Sequence, residues 1–283
     1  MAFEITGYAR RDRDEVIDLL ETSQHAHLHL DWRPIEGWLD SPGATVRLAR
    51  AAGRVIGCLA ATAPHNNVSW LRLAAVADGQ STALILDAMW PQVRAELAAY
   101  NVRQAAVLAI HPWLLPYLPG LGFRQVNRIV TLKRSGERLP VPLRADLRIR
   151  PVNWDDLQAV AAVDNIAFAP LWQYSVRDLQ DASRAAARFT LATLNERVVG
   201  YQLATDHEHS GHIVRLATIP TLQGMGVGSM LLGEVIEFFL KRKRPEITVN
   251  TQADNQTSLQ LYHRFGFAET GHEITVWSAP PSL

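Results

Sequence analysis

The sequence predicts an α/β protein with an α+β mixed sheet, organised as two tandem domains, and three observations lead to this prediction. Predicted strands and helices alternate through the second half of the chain. Segments of the first half recur in the second half at a fixed offset. A glycine-rich turn joins a predicted strand to a predicted helix near residue 225.

The repeat defines the domains. Val46–Gly57 matches Phe189–Gly200 at an offset of 143 residues, taking Gly200 against Gly57, and Arg72–Ala74 matches Arg215–Ala217 at the same offset. A unit of half the chain has the length of a domain. Ser135–Pro142 interrupts all hydrophobic periodicity, as a linker does. We therefore predict domains over 1–134 and 147–283, joined by a linker over 135–146.

The second half carries a clear order of elements. We predict a strand near Leu147, helices from Trp154 and Ser175, and three strands between residues 188 and 219. A long helix from Val227, a strand at Ile247, a helix at Asn255 and a last strand pair ending near residue 277 follow. Sheets of this kind are covered by helices, which gives the α/β class.

Composition excludes several classes of function. The 283 residues contain 28 Lys plus Arg and 28 Asp plus Glu, so the formal net charge is zero. Nucleic acid is an unexpected partner, because proteins that bind it by neutralising phosphates are basic. No apolar stretch approaches the ~20 residues of a membrane span, and Met1–Ile5 does not begin a signal peptide. With Cys58 as the single cysteine, we expect a cytoplasmic protein.

The glycine turn Gln223–Gly228 lies between the apolar run Ile213–Ile219 and an apolar helix. Glycines let the backbone approach an anion closely, and the first N–H groups of a helix point at it. Such turns also serve ordinary packing. A Rossmann site is disfavoured because Leu231 stands where its last glycine or alanine belongs, and no Gly-Lys-Ser or Gly-Lys-Thr marks a P-loop. The turn therefore favours phosphate binding.

A second motif follows 27 residues after Gly228, counting to Asn255. Asn255 is a good helix N-cap, Leu259, Tyr262 and Phe265 share one helical face, and Gly266 is placed to end the helix. The two motifs together resemble the GNAT superfamily, the acyl-CoA-dependent N-acyltransferases. The residues that carry the resemblance are Gln223, Gly226, Gly228, Asn255, Leu261, Tyr262, Gly266 and Phe267. The tandem arrangement resembles mycothiol synthase-like acyltransferases.

The resemblance implies acetyl-CoA as the acyl donor and an amine, on a small molecule or peptide, as the acceptor. It implies that the strand edge Leu216, Ala217 and Thr218 binds the pantetheine arm. Asn255 would hydrogen-bond that arm, and Tyr262 would be the general acid that protonates the departing sulfur. The pyrophosphate would be bound by Gln223, Gly224, Met225, Gly226, Val227, Gly228 and Ser229. No metal and no membrane partner are expected, and a homodimer is possible.

The general base is not assigned by the sequence. Some family members have a glutamate five residues before the motif asparagine, whereas this chain has Asn250. Asp206–His209 with His212 supplies either exposed turn residues or a proton shuttle, and its spacing does not fit a zinc helix. His25, His27 and His29 are interpreted as surface or interface residues rather than metal ligands. Ala169–Tyr174 falls where the family's acceptor loop lies, with Trp172 and Tyr174 either lining that pocket or packing beneath it.

The first half has lost the motifs of the second. Ala83 and Ile85 stand at the positions of Gly226 and Gly228, and Leu118 answers Tyr262. Pro116 and Pro119 would damage a helix there. We predict a degenerate first domain that supports the second, dimerises or shapes an acceptor cleft. The sequence predicts an N-acetyltransferase, and the alternatives are a non-catalytic acyl-CoA sensor or scaffold and an enzyme for longer acyl groups.

Overall fold

The computed structural model describes residues 2–136 and 146–280 of the chain. Most of the predicted linker, residues 137–145, lies outside them. Described residues up to Asn127, together with those from Ile274 onward, form one compact unit, and Arg128–Glu273 forms the other. The predicted boundaries 1–134 and 147–283 follow the repeat along the sequence and stay a prediction.

The first half of the chain contains seven strands and three α-helices among its described residues. In chain order they are β1 (Glu4–Gly7), α1 (Arg13–Thr22), β2 (His25–Leu28), α2 (Ile35–Leu39), β3 (Thr45–Ala51), β4 (Arg54–Ala61), β5 (Val68–Val76), α3 (Thr82–Ala99), β6 (Gln104–Ala109) and β7 (Arg124–Arg134). Between β6 and β7 the chain forms a short 3₁₀ helix over Pro112–Leu114 and turns. Among the described residues of the first half, no α-helix occupies the position equivalent to the helix predicted at Asn255, as Pro116 and Pro119 indicate.

The second half contains the predicted elements in the predicted order. They are β8 (Arg148–Pro151), α4 (Leu157–Ala167), α5 (Val176–Ala185), β9 (Arg188–Leu194), β10 (Arg197–Asp206), β11 (Ser210–Thr218), α6 (Val227–Lys241), β12 (Glu246–Gln252), α7 (Gln256–Arg264) and β13 (Phe267–Ala279). The prediction of two strands at the end of the chain is wrong, because β13 runs unbroken through Gly271. The mixed, mostly antiparallel sheets with flanking helices confirm the α/β class.

Both units contain one parallel strand pair among antiparallel ones. In the first unit β5 pairs with β6 over Val68–Trp70, and in the second unit β11 pairs with β12 over Ser210–Ile213. Antiparallel pairs among the described strands include β3–β4, β4–β5, β9–β10 and β10–β11. The parallel pairs fall at equivalent places of the repeat, which supports a duplicated unit.

Each half of the sequence contributes one strand that pairs with a strand of the unit formed mainly by the other half. The part of β7 from residue 128 onward belongs to the second unit, where Ile129–Arg134 pairs antiparallel with β12. The part of β13 from residue 274 onward belongs to the first unit, where Thr275–Ala279 pairs antiparallel with β6. Each sheet is therefore completed by a strand that comes from the other half of the sequence.

Apolar helix faces cover the sheet of the second unit. α6 buries Leu232, Val235, Ile236 and Phe239 completely. α4 packs with Leu191 and Tyr201 in a separate core cluster. The single cysteine, Cys58, is buried in the first unit and behaves as an apolar residue there. Among the described residues, no helix combines the length and hydropathy that crossing a membrane requires.

Three buried or partly buried histidines make stability depend on pH. Burial is the largest cause that lowers the pKa of His27 to about 3, of His29 to about 4 and of His212 to about 4. These groups are neutral when folded and protonate in the unfolded chain near pH 6.5. Stability is therefore unaffected above that pH and falls as the pH drops toward each folded pKa.

We predict that the free energy of unfolding is lower at pH 5 than at pH 7. Replacing His27 by Leu should reduce this loss, because His27 contributes up to about 1.4 kcal/mol per pH unit in that window. Both ring nitrogens of His27 are buried without a hydrogen bond, so the variant should be no less stable at pH 7. Denaturant unfolding at both pH values measures the effect, with His209→Gln, whose side chain is 87% exposed, as the control. An unchanged pH dependence in His27→Leu would contradict the assignment.

Candidate active site

The central feature of the site is the divergence of β11 from β12. Their parallel pairing ends at Ile213 and Val249. Against β10, Ala204 pairs with Ile213 and Leu203 with Arg215, so Val214 is an extra residue that forms a β-bulge. Residues 215–218 pair with β10 on one side, and no described strand pairs with them on the other. This edge presents free backbone N–H and C=O groups.

The open edge leads into the glycine turn. Gly224 and Gly226 have φ values of +75° and +90°, a left-handed conformation that side chains rarely adopt. Gly226 is the N-cap of α6, so the unpaired N–H groups of the first helical turn lie immediately after it. A Cβ atom on Gly228 would lie 3.3 Å from Leu261 Cδ2 and 3.6 Å from Thr218 Oγ1. Glycine at this position keeps the space between the helices open.

A cavity of about 770 Å³ follows this edge and turn. Of the residues predicted to bind the cofactor, it is lined by Leu216, Ala217, Thr218, Gln223, Gly224, Gly226, Gly228, Ser229 and Asn255. Met225 and Val227 do not line it, because the side chain of Met225 is half exposed and that of Val227 is buried in the core. The two motifs are thus brought together around one cavity.

Tyr262 lies beside a second, smaller cavity of about 50 Å³. Phe168, Leu216, Asn255 and Ser258 line both cavities. The ring of Tyr262 packs against Phe267 with a centroid distance of 5.6 Å, and the residue is 4% exposed. Burial raises the pKa of its hydroxyl, which therefore keeps its proton at neutral pH. The hydroxyl forms no hydrogen bond with the described residues.

Asn255 begins α7, as the sequence predicts. Its side-chain oxygen accepts a hydrogen bond from the Ser258 N–H at 3.1 Å, and its Nδ2 lies 3.4 Å from Gln252 Oε1. A cap of this kind stabilises a helix by about 1 kcal/mol. Gly266, with a φ of +81°, follows the last residues of the helix. The cap and the cavity wall thus depend on the same asparagine.

The acidic and histidine cluster after β10 lies apart from both cavities. His212 hydrogen-bonds Thr248 at 2.8 Å, and Asp206 accepts hydrogen bonds from Arg242 and Arg244 at 2.9 Å each. Glu208 and His209 are almost fully exposed in the turn. Asn250 does line the smaller cavity, and its oxygen accepts a hydrogen bond from Thr131 at 2.9 Å. None of the cluster lines either described cavity.

The structure adds residues that sequence reasoning missed. Ala167, Phe168, Thr257, Ser258, Gln260, Leu261, His263 and Arg264 also line the larger cavity. His263 and Arg264 follow Tyr262 directly in the second motif, so their position on α7 was the available signal. Phe168 immediately precedes the predicted acceptor loop Ala169–Tyr174, and only the tertiary fold brings it here. The His25, His27 and His29 region contains no described metal-binding group.

A family model matches part of the second half of the chain. Residues 153–267 match the sequence profile of the Acetyltransferase (GNAT) family. They therefore form a GNAT acetyltransferase domain, which confirms the resemblance on which the sequence interpretation rests.

Two curated relatives are named mycothiol acetyltransferase. The protein of Acidimicrobium ferrooxidans is 29% identical over 187 residues, which is 58% of this chain and 58% of the relative. That of Brachybacterium faecium is 26% identical over 201 residues, which is 62% of this chain and 60% of the relative. Each match thus spans less than two thirds of either protein.

A solved structure shows the same fold over the whole chain. The tandem GNAT protein from the clavulanic acid biosynthesis pathway has a TM-score of 0.66 and 14% identity, covering 100% of this chain and 99% of that one. At this identity the likeness concerns the fold, and it confirms the tandem GNAT architecture.

We predict that Tyr262→Phe leaves the free energy of unfolding within about 0.5 kcal/mol of the parent. The variant keeps the buried ring and its contact with Phe267, and it removes a hydroxyl with no partner among the described residues. Denaturant unfolding at pH 7 measures this. A loss above 1 kcal/mol would mean that the hydroxyl has a structural role, with Tyr262→Ala as the destabilised reference.

Proposed function

We propose that the chain is an N-acetyltransferase whose second unit binds acetyl-CoA and transfers the acetyl group to an amine. One observation carries the proposal. The open strand edge 215–218 leads through a short 3₁₀ turn into the left-handed glycine turn and the N-terminus of α6, and Tyr262 lines the smaller cavity at the same edge. This arrangement accommodates an extended amide-bearing chain that ends in phosphates.

The described residues fit the parts of acetyl-CoA. The free backbone groups of Leu216–Thr218 would pair with the amides of the pantetheine arm, as an added strand does. The backbone of Gly224–Ser229 would bind the pyrophosphate at the positive end of the α6 dipole. Arg264 and His263 on the facing helix line the same cavity. A guanidinium there would add charge-assisted hydrogen bonds to phosphate.

Tyr262 is the proposed general acid. Acetyl-CoA supplies an acetyl group already activated as a thioester. A backbone N–H of the open edge would polarise its carbonyl. The nitrogen of the amine forms the new bond to the acetyl carbon as the carbon–sulfur bond breaks, and Tyr262 gives its proton to the sulfur. The proton that the nitrogen loses passes to water, and water returns a proton to the Tyr262 oxygen. The raised pKa of Tyr262 means that it holds this proton until it is needed.

The proposal assigns no side chain as general base. The described lining of the two cavities contains no aspartate or glutamate. The amine would enter neutral or release its proton to water. The same observation favours the second candidate, a non-catalytic acyl-CoA sensor, and the two differ in turnover: free CoA and an acetylated amine appear only with the enzyme.

The acceptor is to be sought by a panel. The first member is the amine acceptor of the relatives that are named mycothiol acetyltransferase. Glucosamine, spermidine and a lysine-containing peptide complete the panel. Mass spectrometry of the acetylated product is the readout, because an acceptor that carries its own thiol would interfere with thiol detection. Turnover with any member supports the enzyme, and none with any member supports the sensor.

We predict one acetyl-CoA site per chain. In the first unit β2 pairs with Leu73–Val76, the edge that the repeat equates with Leu216 onward, and Ile85 fills the place of Gly228. Isothermal titration calorimetry should give a stoichiometry of one. At 100 times the dissociation constant, acetyl-CoA should stabilise its unit by about 2.7 kcal/mol.

Matched variants locate this site. Gly228→Leu fills the cavity next to Leu261 and should abolish the binding heat, whereas Ala83→Gly in the first unit should leave it unchanged. Two equal sites in the parent, or lost binding in Ala83→Gly, would contradict a single site in the second unit.

We predict that Tyr262→Phe binds acetyl-CoA with a dissociation constant within about threefold of the parent while turnover falls by about 10²–10⁴. Calorimetry and single-turnover rates with an accepted amine measure the two quantities. Tyr201→Phe is not a suitable control, since that hydroxyl bonds Asp164. Tyr100→Phe is one, because Tyr100 is 54% exposed in the first unit. An unchanged rate in Tyr262→Phe would remove it from the mechanism.

A further inference from the structure

We propose that Arg215 is a positioning residue that holds the segment Phe168–Tyr174 in place as a wall of the transfer site. The proposal rests on the proposed function in one respect only, namely that the segment borders a site of acetyl transfer. The segment connects α4 to α5, and Phe168 at its start lines both cavities. Arg215 lies on β11 directly after the bulge at Val214, at the start of the open edge. One side chain therefore connects the wall to the strand it faces.

The anchor is a buried, two-pronged ion pair. Arg215 Nε donates to Asp164 Oδ2 at 2.8 Å, and Nη2 donates to Oδ1 at 3.0 Å. The side chains are 9% and 0% exposed. A buried pair needs such geometry to offset desolvation, and removing one partner leaves an uncompensated charge. Because Asp164 neutralises the guanidinium, we assign Arg215 a structural effect on the wall and no proton transfer.

The same guanidinium contacts both ends of the segment. Its carbon lies 3.7 Å from the ring centroid of Phe168 and 4.1 Å from that of Tyr174. Nη2 also donates to the carbonyl oxygen of Trp172. Asp164 in turn accepts a hydrogen bond from the Tyr174 N–H at 2.7 Å. The planar fork makes these contacts together, which a lysine ammonium cannot do.

The repeat supplies an independent observation. Arg72 occupies the position of Arg215 in the first unit, at the offset of 143 residues. It donates to Asp31 Oδ2 at 2.6 Å and lies 2.7 Å from His29 Nδ1. Both residues follow β2, the strand that covers the equivalent edge. In each unit the equivalent arginine thus contacts the segment that connects the first α-helix to the second.

The test uses the full chain and hydrogen exchange measured by mass spectrometry. In Arg215→Met, we expect the amides of residues 168–175 to exchange at least about tenfold faster, and in Arg215→Lys by an intermediate factor. Arg184→Met is the matched control, because Arg184 pairs with Asp181 on neighbouring α5 and is 66% exposed. In the first unit, Arg72→Met should accelerate exchange in residues 25–31.

Two further readouts separate positioning from general stability. Calorimetry with acetyl-CoA should give a dissociation constant within about threefold of the parent for Arg215→Lys. With an amine accepted in the panel, the KM for the amine should rise at least about tenfold and that for acetyl-CoA should not. If the parent does not bind acetyl-CoA, the proposed function is refuted, whereas the hydrogen-exchange result stays valid.

Unchanged exchange of residues 168–175 in both Arg215 variants would overturn the proposal. So would acceleration spread evenly over residues 128–273, which would indicate a loss of general stability. If Arg215→Met does not fold, Arg215→Lys decides the question alone. An unchanged amine KM together with faster exchange would also overturn it, since the segment would then be held in place without serving the site.

Discussion

The loss of pairing between two parallel strands is the constraint on which the second unit depends. β11 and β12 hydrogen-bond as far as Ile213 and Val249, and the extra residue Val214 turns the next part of β11 away. An exposed strand edge is normally a hazard, because it invites pairing with another chain. Here the edge is short, it lines a cavity, and a helix N-terminus lies at its end. Those three properties suit the extended ligand that we propose for this edge.

The first unit shows what happens when the same edge is covered. β5 loses its parallel partner β6 after Trp70, and β2 takes the vacated place along Leu73–Val76. The N-cap glycine and the space beside Gly228 are replaced by Ala83 and the buried Ile85. In the first unit, pairing with β2 therefore satisfies the backbone N–H and C=O groups of β5, whereas the second unit leaves the equivalent groups of β11 free. The missing glycine motif and the covered strand edge both remove from the first unit the features that we propose bind acetyl-CoA in the second.

Much of the site could be predicted because its determinants are local. Left-handed glycines, a helix N-cap and a helical face carrying Tyr262 are fixed by residues a few positions apart, and the family resemblance supplied their order. The wall of the cavity could not be predicted in this way. Phe168, which lines it, packs against Arg215, and Arg215 forms a buried ion pair with Asp164, 51 positions away. A charged pair at such a separation leaves no periodic signal.

Pairing across the repeat was also beyond sequence reasoning. Strand periodicity gives the faces of a strand but not its partner, so β2 covering β5, and β7 pairing with β12, follow only from the fold. The histidines of β2 illustrate the result. Alternation suggested a surface or interface, whereas His27 is completely buried. The turn after β10 was also considered as a source of the base, yet it lies at the opposite end of β11 from the open edge.

The exchanged strands bear on how a duplicated gene evolves. Strand β7 is encoded with the first copy, yet its later residues complete the sheet that carries the site, and the end of β13 does the reverse. A copy that has closed its ligand edge would ordinarily be free to be lost. This one cannot be deleted without leaving β12 without its antiparallel neighbour. Selection on the second copy thus preserves the first as a supplier of backbone, while the positions of the first copy that are equivalent to the glycine turn are free to change.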